Sequence, residues 1–348
     1  MGTKKNIGSS SISKVLSQRK QAPSVAELVS GIRNGDQSLL ARAITLVEST
    51  QEEHQQRAYE IIELCLSNIG KTIRVGITGV PGVGKSTFIE ALGTMLTGMG
   101  KKVAVLTVDP SSSISKGSIL GDKTRMQELV KDPNAFIRPS PSGESLGGVA
   151  RKTRESIILC EAAGYDVILV ETVGVGQSET AVHSMVDFFL LLKISGAGDE
   201  LQGIKRGIME MADAIVINKA EGDNLTRAQR ARSEFERALH LYPPKDNNWT
   251  PKVVTCSSIE KTGISEIWKM IEAYEMLTKE SDFFVSKRQE QNKYWFFQTV
   301  EDLLKQQFYQ HATIKKELNP LIKNVEENTI SPFRAAERLL YLYRQGLK

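Results

Sequence analysis

The amino-acid sequence predicts an α/β fold: a doubly wound, mostly parallel sheet covered by helices on both faces, with further helices at both ends of the chain. Three observations predict it. Short apolar runs recur through the middle of the 348-residue chain. Segments with helical spacing of apolar residues alternate with these runs. A glycine-rich loop joins the first run to the helical segment that follows it.

The candidate strands are near-continuous apolar runs, which are typical of parallel strands buried on both faces. They cover residues 73–78, 103–108, 167–172, 188–194, 214–218 and 252–255. Residues 151–163 and 224–240 are two of the helical segments that lie between them. The alternation of the two patterns predicts one α/β domain from residue 70 to residue 280.

The two ends of the chain have helical patterns without a strand signal. Residues 24–69 carry apolar side chains at helical spacing, and the same spacing returns in residues 281–348. One apolar stripe of the second segment consists of Phe297, Val300, Leu304 and Phe308. Residues 1–23 are basic and serine-rich, which favours a flexible, solvated tail over a transit peptide. We therefore predict a tail, a helical N-terminal segment, the α/β domain and a helical C-terminal arm.

Composition and charge argue against several classes of protein. The net charge is only +4 and no basic stripe interleaves with aromatic residues, so no nucleic-acid partner is expected. No apolar run approaches the roughly 20 residues of a membrane span, so no membrane partner is expected. The three cysteines and four histidines lack the spacing of a zinc site. They predict reduced thiols and a cytoplasmic location, or the mitochondrial matrix in a eukaryote.

The loop after the first candidate strand has the sequence Gly79-Val-Pro-Gly-Val-Gly-Lys-Ser-Thr87, which matches the phosphate-binding pattern GxxxxGK[ST]. Its glycines let backbone N–H groups surround phosphates, and the following helix adds its N-terminal dipole. Lys85 supplies a cation to the β- and γ-phosphates, and the Ser86 hydroxyl is a ligand for Mg²⁺. The predicted phosphate-binding residues are Gly79, Val80, Pro81, Gly82, Val83, Gly84, Lys85, Ser86 and Thr87.

A carboxylate lies at the end of the candidate strand 167–172, in the sequence Glu171-Thr-Val-Gly174. The end of a buried strand beside a phosphate-binding loop is the usual place of the acid that holds Mg²⁺, directly or through water. We therefore predict that Glu171 holds the metal with Ser86, and that the Gly174 N–H contacts the γ-phosphate.

Two aspartates flank a segment rich in serine and glycine, and this segment could order around the γ-phosphate and Mg²⁺. Asp109 ends another strand beside the phosphate-binding loop, whereas Asp122 lies further along; the alternative is that both are solvated or cap a turn. The predicted catalytic residues are Lys85, Asp109, Asp122 and Glu171. The predicted Mg²⁺ ligands are Ser86, Asp109 and Glu171.

A third motif, Asn218-Lys-Ala-Glu221, follows another strand and resembles the NKxD sequence that recognises guanine. In that arrangement Asn218 reaches the Hoogsteen edge of the base and the stem of Lys219 covers a ring face. The carboxylate accepts from N1–H and the exocyclic amine, which discriminates against adenine. Glu221 replaces the usual aspartate, so Asp223 is an alternative. A later loop, with Ser257, Ser258 and Ile259, lies where GTPases contact the O6 atom of guanine.

Four longer segments resemble the MeaB/ArgK/MMAA family of P-loop GTPases. They are Asp109-Pro-Ser-Ser112, Gly117-Ser-Ile-Leu-Gly-Asp-Lys-Thr-Arg-Met126, Glu171-Thr-Val-Gly-Val-Gly-Gln177 and Gly196-Ala-Gly-Asp-Glu-Leu-Gln-Gly-Ile-Lys205. The resemblance implies a GTP-hydrolysing chaperone of an adenosylcobalamin-dependent acyl-CoA mutase such as methylmalonyl-CoA mutase. It also implies GTP, GDP and Mg²⁺ as ligands, and a homodimer with contacts through the C-terminal arm. The chain departs from the family at residues 113–115, Ser-Ile-Ser in place of Pro-Phe-Ser, and at Glu221.

Two further segments bear on hydrolysis and on partner contacts. Ras-like GTPases orient the attacking water with a glutamine after the switch glycine, whereas this chain has Val175 there, so slow intrinsic hydrolysis is expected. Lys205 and Arg206 lie in a glycine-punctuated loop. They are either a third switch that touches nucleotide or partner, or a solvated basic turn.

Three other functions compete with this interpretation. A metallochaperone GTPase for another metalloenzyme usually carries a cluster of Cys and His residues, which this sequence lacks. A P-loop small-molecule kinase would use a lid and an acceptor site in place of the guanine-reading motif. A structural dimer with a vestigial nucleotide site would not need Lys85, Ser86 and Glu171 intact.

Overall fold

A computed structural model describes residues 22–66, 71–108, 126–139, 146–172, 178–196 and 206–346. Its centre is a seven-stranded sheet in which every pairing of neighbouring strands is parallel. The strands are β1 Ile73–Gly79, β2 Val103–Val108, β3 Ala135–Arg138, β4 Val167–Thr172, β5 Phe188–Ile194, β6 Ala214–Asn218 and β7 Lys252–Thr255. Their order is β3-β2-β4-β1-β5-β6-β7, which confirms the predicted doubly wound fold.

The sheet lies between two layers of helices. The helices of the α/β domain are α4 Lys85–Gly98, α5 Leu146–Ala162, α6 Ser178–His183, α7 Arg206–Met211, α8 Leu225–Leu239 and α9 Ile264–Glu280. One face of β1 and β4 packs on α4 and α9 in a core that contains Phe88, Leu169 and Trp268. The other face packs on α5 and the N-terminal helices.

The helices outside the domain are α1 Val25–Arg33, α2 Gln37–Glu48 and α3 Glu52–Cys65 before it, and α10 Phe283–Gln310, α11 Ala312–Glu326 and α12 Pro332–Gly346 after it. A capping box of Ser24 and Glu27 starts α1, because each residue hydrogen-bonds the other's backbone N–H. The apolar sides of α1, α2 and α3 share one core with α5 and the sheet. The predicted helical ends are confirmed, whereas the domain boundaries stay predictions.

Three aspartates hold the amino edge of the sheet, where the strands begin. Each precedes a buried strand and accepts a hydrogen bond from a backbone N–H at the start of a neighbouring strand. The pairs are Asp166 with Lys102 at 2.7 Å, Asp187 with Arg74 at 2.8 Å, and Asp213 with Phe189 at 2.9 Å. These bonds satisfy N–H groups at the strand ends and hold the strands in register.

The same edge contains a buried network of charges that joins the C-terminal arm to the sheet. Arg74 donates two hydrogen bonds of 2.8 Å to Glu161 on α5. Arg288 on α10 donates to both carboxylate oxygens of Asp187, at 2.8 and 2.6 Å, and to the carbonyl of Thr72 at 2.6 Å. Burial alone would raise the pKa of Asp187, but the hydrogen bond and charge of Arg288, with Arg74, hold that pKa below its usual value.

The first half of α10 is fixed to the core, and much of the rest is exposed. Gln291 donates to the carbonyl of Val186 at 2.8 Å, and Trp295 donates to that of Ser184 at 3.1 Å. Beyond this anchor, the large apolar side chains that face solvent include Phe296, Phe297, Val300, Leu303 and Leu304. None of the helices within the described ranges combines the length and apolarity required to cross a membrane.

Candidate functional site

The glycine-rich loop leaves the carboxyl end of β1 and enters α4 at Lys85, as the motif predicts. Gly84 has a φ of 92°, and a Cβ at this position would lie 2.8 Å from the side-chain nitrogen of Asn218. A Cβ on Gly79 would lie 2.5 Å from the carbonyl oxygen of Leu192. Both positions therefore require glycine. Val80, Pro81 and Gly82 are exposed, whereas Val83 is part of the core, so the loop presents its outer backbone to a ligand.

Lys85 lies within the curve of this loop. Its ammonium group donates to the carbonyl of Gly79 at 2.7 Å and contacts the carbonyl of Val80 at 3.4 Å. The side chain is buried, so its charge lies in a low-dielectric setting where an incoming phosphate oxygen would interact with it strongly. Thr87 is exposed on the first turn of α4, close in sequence to Lys85 and Ser86.

Ser86 and Glu171 come together at the carboxyl edge of the sheet, although they lie far apart in sequence. The Ser86 hydroxyl is 3.3 Å from a carboxylate oxygen of Glu171, and both side chains are buried. The parallel register explains the approach, because Glu171 at the end of β4 lies beside Ile77 of β1. A hydroxyl and a carboxylate in contact are hard oxygen ligands, so these two residues fit a Mg²⁺ ion.

Asn218 connects the two loops that flank the predicted base site. Its amide nitrogen donates to the carbonyl of Val83 at 2.9 Å. Its amide oxygen accepts from the backbone N–H and the hydroxyl of Ser258, at 3.2 and 2.7 Å. Asn218 therefore positions the phosphate-binding loop against the loop 256–259, a role that the sequence motif does not reveal. Ser257 is buried in that loop, and Ile259 is exposed.

The geometry favours Glu221 over Asp223 as the carboxylate of the base site. One carboxylate oxygen of Glu221 is buried and has no hydrogen-bond partner in the part of the chain that the structure describes. Such a group is costly unless a ligand satisfies it, and a guanine edge offers two N–H donors. Asp223 is exposed in the short 3-10 turn Gly222–Asn224. Burial, with the charge of Glu221 adding to it, raises the pKa of the Cys256 thiol to about 12. The backbone N–H of Ala220 donates to the carbonyl of Cys256 at 3.0 Å, so Glu221 follows a residue that is bonded to this loop.

Lys219 has a left-handed backbone with φ of 58°, and its side chain is exposed. Its Cε atom lies 3.9 Å from the position that a Cβ of Gly84 would occupy, so the stem runs alongside the phosphate-binding loop. This placement is compatible with a stem that covers one face of a base.

Some predicted positions lie outside the described residues. They are Asp109, Asp122, Gly174, Val175 and Lys205, together with the side chain of Arg206. Their roles stay predictions. Asn224 was not predicted: its amide donates to the carbonyl of Lys219 at 2.6 Å and accepts from the hydroxyl of Ser195 at 2.7 Å. The only signal in the sequence was an asparagine at the start of a helix, and many such residues only cap turns.

Comparisons with known proteins match most of the length of this chain. The family model for "Methylmalonyl Co-A mutase-associated GTPase MeaB" matches residues 40–313. "GTPase ArgK" of Escherichia coli is 47% identical over 308 residues, which are 88% of this chain and 93% of that protein. "Methylmalonic aciduria type A homolog, mitochondrial" of Mus musculus is 45% identical over 335 residues, which are 93% of this chain and 81% of that protein.

A solved structure gives the same result for the fold. The structure entitled "Crystal structure of LAO/AO transport system kinase" superposes with a TM-score of 0.72 at 40% sequence identity, over 92% of this chain and 97% of that one. The phosphate-binding loop, the strand-end acid and the guanine-type motif thus occur on a fold that is shared with this solved structure, in a chain that matches a GTPase family. The chain belongs to the MeaB family of methylmalonyl-CoA mutase-associated GTPases, and it is a P-loop GTPase that binds guanine nucleotides.

Proposed function

We propose that this GTPase is a chaperone that gates adenosylcobalamin loading and protects or reactivates a cobalamin-dependent acyl-CoA mutase of the methylmalonyl-CoA mutase type. One observation carries the proposal: the family match extends over residues 40–313, from the N-terminal helices to the start of α11. The similarity therefore includes the elements outside the nucleotide-binding core, which are available for a partner. The mouse relative is named for methylmalonic aciduria, which supports a connection with the same mutase.

The nucleotide would bind along the carboxyl edge of the sheet. Residues 79–87 would surround the phosphates, with Lys85 on the β- and γ-phosphates and the Gly174 N–H on the γ-phosphate. Asn218, Lys219 and Glu221 would hold the base, together with the loop 256–259. Glu221 supports this arrangement because its buried oxygen lacks a donor among the described residues.

Ser86 and Glu171, with Asp109, would hold Mg²⁺. A bound Mg²⁺ neutralises negative charge that develops on the transferring phosphoryl group. The contact of 3.3 Å between Ser86 and Glu171 supports the assignment of these two residues. Asp122 would complete the catalytic residues when the segment that it flanks orders around the γ-phosphate.

We expect slow hydrolysis by the protein alone and faster hydrolysis with its partner. Val175 stands where a water-orienting glutamine would stand in a Ras-like enzyme. Groups supplied in trans raise kcat in Ras-type systems by about 10³–10⁵-fold. We expect a smaller gain here, because Asp109 and Asp122 would supply part of the catalytic arrangement in cis.

The proposed assembly is a homodimer that acts in the cytoplasm, or in the mitochondrial matrix of a eukaryote. The exposed apolar side chains of α10 support a dimer through the C-terminal arm, since contiguous apolar patches commonly mark protein interfaces. Phe297 and Leu304 are each more than half exposed, at 53% and 58%, so this face is open to a second copy.

The test is to mix the purified protein with an adenosylcobalamin-dependent acyl-CoA mutase and to measure GTP turnover alone and together. We expect stimulation, a complex that depends on GDP or a non-hydrolysable GTP analogue, and cobalamin transfer that depends on the nucleotide. If the mutase neither stimulates GTP turnover nor forms a nucleotide-dependent complex, the chaperone assignment is wrong and only the GTPase assignment stands. Lys205→Ala adds a discriminating variant: a switch loop predicts normal basal turnover without stimulation, whereas a solvated turn predicts no change.

A further inference from the structure

The loop that carries Glu221 has an irregular backbone. Lys219 and Gly222 both have positive φ angles, of 58° and 50°, and Glu221 between them is extended, with φ of −128° and ψ of 157°. The left-handed region is unfavourable for a residue with a Cβ, so surrounding contacts must hold Lys219 in it. The position of the Glu221 carboxylate therefore depends on whatever fixes this loop.

Asn224 belongs to the same loop and holds its backbone in place. Its side-chain amide donates to the carbonyl of Lys219 at 2.6 Å, and its backbone N–H donates to the carbonyl of Glu221 at 3.0 Å. The first bond closes the loop across its ends, and the second holds the residue in its middle. Asn224 therefore contacts the backbone of Lys219 and Glu221, two of the residues that are proposed to bind the base.

Ser195 orients the amide of Asn224. A carbonyl can only accept, so the nitrogen of the amide must face Lys219 and its oxygen must face Ser195. The Ser195 hydroxyl donates to that oxygen at 2.7 Å. Ser195 follows β5 directly, and β5 pairs with β6, which ends at Asn218. The amide is thereby tied to the sheet as well as to its own loop.

The chemistry of Glu221 makes this support necessary. Its buried oxygen accepts no hydrogen bond from the described residues, so no side chain among them holds that oxygen in place. Glutamate is also one methylene longer than the aspartate of the usual guanine-reading motif, which adds a rotatable bond. The backbone conformation fixes where the side chain of Glu221 starts, and it therefore limits the region that the carboxylate can reach.

We propose that Asn224, oriented by Ser195, is a positioning residue for guanine recognition: it holds Lys219 and Glu221 where they contact the base. The inference rests on the proposed role of Glu221. Asn224 contacts neither phosphate nor metal in this arrangement. Its substitution should therefore change the affinity for the base and leave the rate of phosphate hydrolysis nearly unchanged.

The pair GDP and inosine diphosphate isolates this effect. Inosine keeps N1–H and lacks the exocyclic amine, so the ratio of the two dissociation constants reports one of the two hydrogen bonds accepted by the carboxylate. We would measure both constants by calorimetry for the full chain and for Asn224→Asp, Asn224→Ala and Ser195→Ala. Asn224→Asp is nearly isosteric, and it places an acceptor against the carbonyl of Lys219.

We expect Asn224→Asp and Asn224→Ala to weaken GDP binding by about tenfold and inosine diphosphate binding by less. The ratio of the dissociation constant of inosine diphosphate to that of GDP should therefore fall toward one. Ser195→Ala should have the same direction with a smaller effect, of about threefold. The KM for GTP should rise more than kcat falls. Asn34→Ala is the matched control, because Asn34 is an exposed asparagine at the end of α1 with a φ of −86°, and the preference should not change.

Glu221→Ala separates the two levels of the proposal. If Glu221→Ala loses the preference for GDP while both Asn224 variants keep it, the inference about Asn224 is wrong and the role of Glu221 stands. If Glu221→Ala keeps the preference, the role of Glu221 itself is wrong. A lower melting temperature with an unchanged preference would reduce Asn224 to a structural residue. Should Asn224→Asp fail to fold, Asn224→Ala and Ser195→Ala decide between the same outcomes.

Discussion

The two edges of the sheet contrast in how their polar groups are satisfied. At the carboxyl edge, the Lys85 ammonium rests on loop carbonyls and a buried oxygen of Glu221 lacks a partner among the described residues. At the amino edge, Arg288 and Asp187 are buried and paired with each other, and among the described residues only single atoms of this network, such as Nη1 of Arg74, lack a hydrogen-bond partner. The contrast teaches that the ligand-binding edge keeps polar groups for its ligand, whereas the other edge uses its charges to attach the C-terminal arm.

The largest expected effect is at the carboxyl edge. Lys85→Ala should reduce GTP turnover by about 10²–10³-fold or more, because it removes the cation aimed at the β- and γ-phosphates. Triphosphate binding should weaken as well, while the fold is kept. Phosphate release assays and calorimetry measure both effects. Lys71→Ala is the matched control, since Lys71 is exposed just before β1 at the amino edge. Normal hydrolysis by Lys85→Ala would place the site elsewhere.

At the amino edge, Arg288→Ala should lower the free energy of unfolding by about 3 kcal/mol or more, because the buried carboxylate of Asp187 loses its principal partner. Nucleotide affinity of the folded fraction should change little. Urea denaturation measures the first quantity and calorimetry the second. Arg230→Ala is the control, because its ion pair with Glu234 on α8 is exposed and contributes at most about 0.5 kcal/mol. Equal losses in the two variants would mean that the buried network contributes no more than a surface pair.

The base site gives a smaller effect that distinguishes two carboxylates. Glu221→Ala should weaken GDP binding by about 10–100-fold and leave ADP binding nearly unchanged, because the donor edge exists only on guanine. Asp223→Ala should have little effect, since Asp223 is exposed. Calorimetric titrations with both nucleotides decide between them. If selectivity for guanine is lost only in Asp223→Ala, Asp223 and not Glu221 is the residue that recognises the base.

The smallest expected effect is on α6, which lies between the two edges. Burial, with the charge of Lys287 adding to it, lowers the pKa of His183 to about 4. The folded pKa lies below the usual value near 6.5, so the unfolded chain binds the proton first as the pH falls. Stability should therefore decrease between about pH 6.5 and pH 4, by at most about 1.4 kcal/mol per pH unit from this residue. His183→Phe should flatten that slope in urea denaturation; an unchanged slope would show that His183 does not cause it.

Much of the fold followed from the sequence because parallel strands need long apolar runs. All six predicted runs are strands of the sheet. The seventh strand, Ala135–Arg138, was missed because only one of its four residues is β-branched, whereas the equally short edge strand Lys252–Thr255 has three β-branched residues. Helix α5 begins at Leu146, earlier than the predicted residue 151, since the two glycines after it resemble a loop.

The buried charges of the amino edge were not predicted. Asp187 and Arg288 are distant in sequence, and charged residues are usually exposed, so nothing local marks them as a pair. A signal did exist: Asp166, Asp187 and Asp213 each stand directly before an apolar run. An acid at that place is available to satisfy the first N–H of a neighbouring strand.

The parts of the candidate site that could be predicted are those in which a short sequence motif contains all the groups that its ligand needs. The phosphate-binding loop, Glu171 and Asn218 follow one another in the order that nucleotide binding demands, and the structure brings them to one edge. The side-chain bonds of Asn218 and Asn224 could not be predicted, because their partners, Val83, Ser258 and Ser195, are set by tertiary packing. Sequence motifs therefore name the groups that face a ligand better than the groups that hold them.

The length of α10 has a mechanical consequence. The helix has 28 residues, so it is about 42 Å long, and among the described residues its last hydrogen bond to the core is that of Trp295. The part beyond that anchor is a lever of about 22 Å. A tilt of about 10° at the anchor would move its far end by about 4 Å. The anchor includes the carbonyls of Ser184 and Val186, which follow α6 directly, so a slight rotation of α6 would be amplified at the exposed aromatic side chains of the arm.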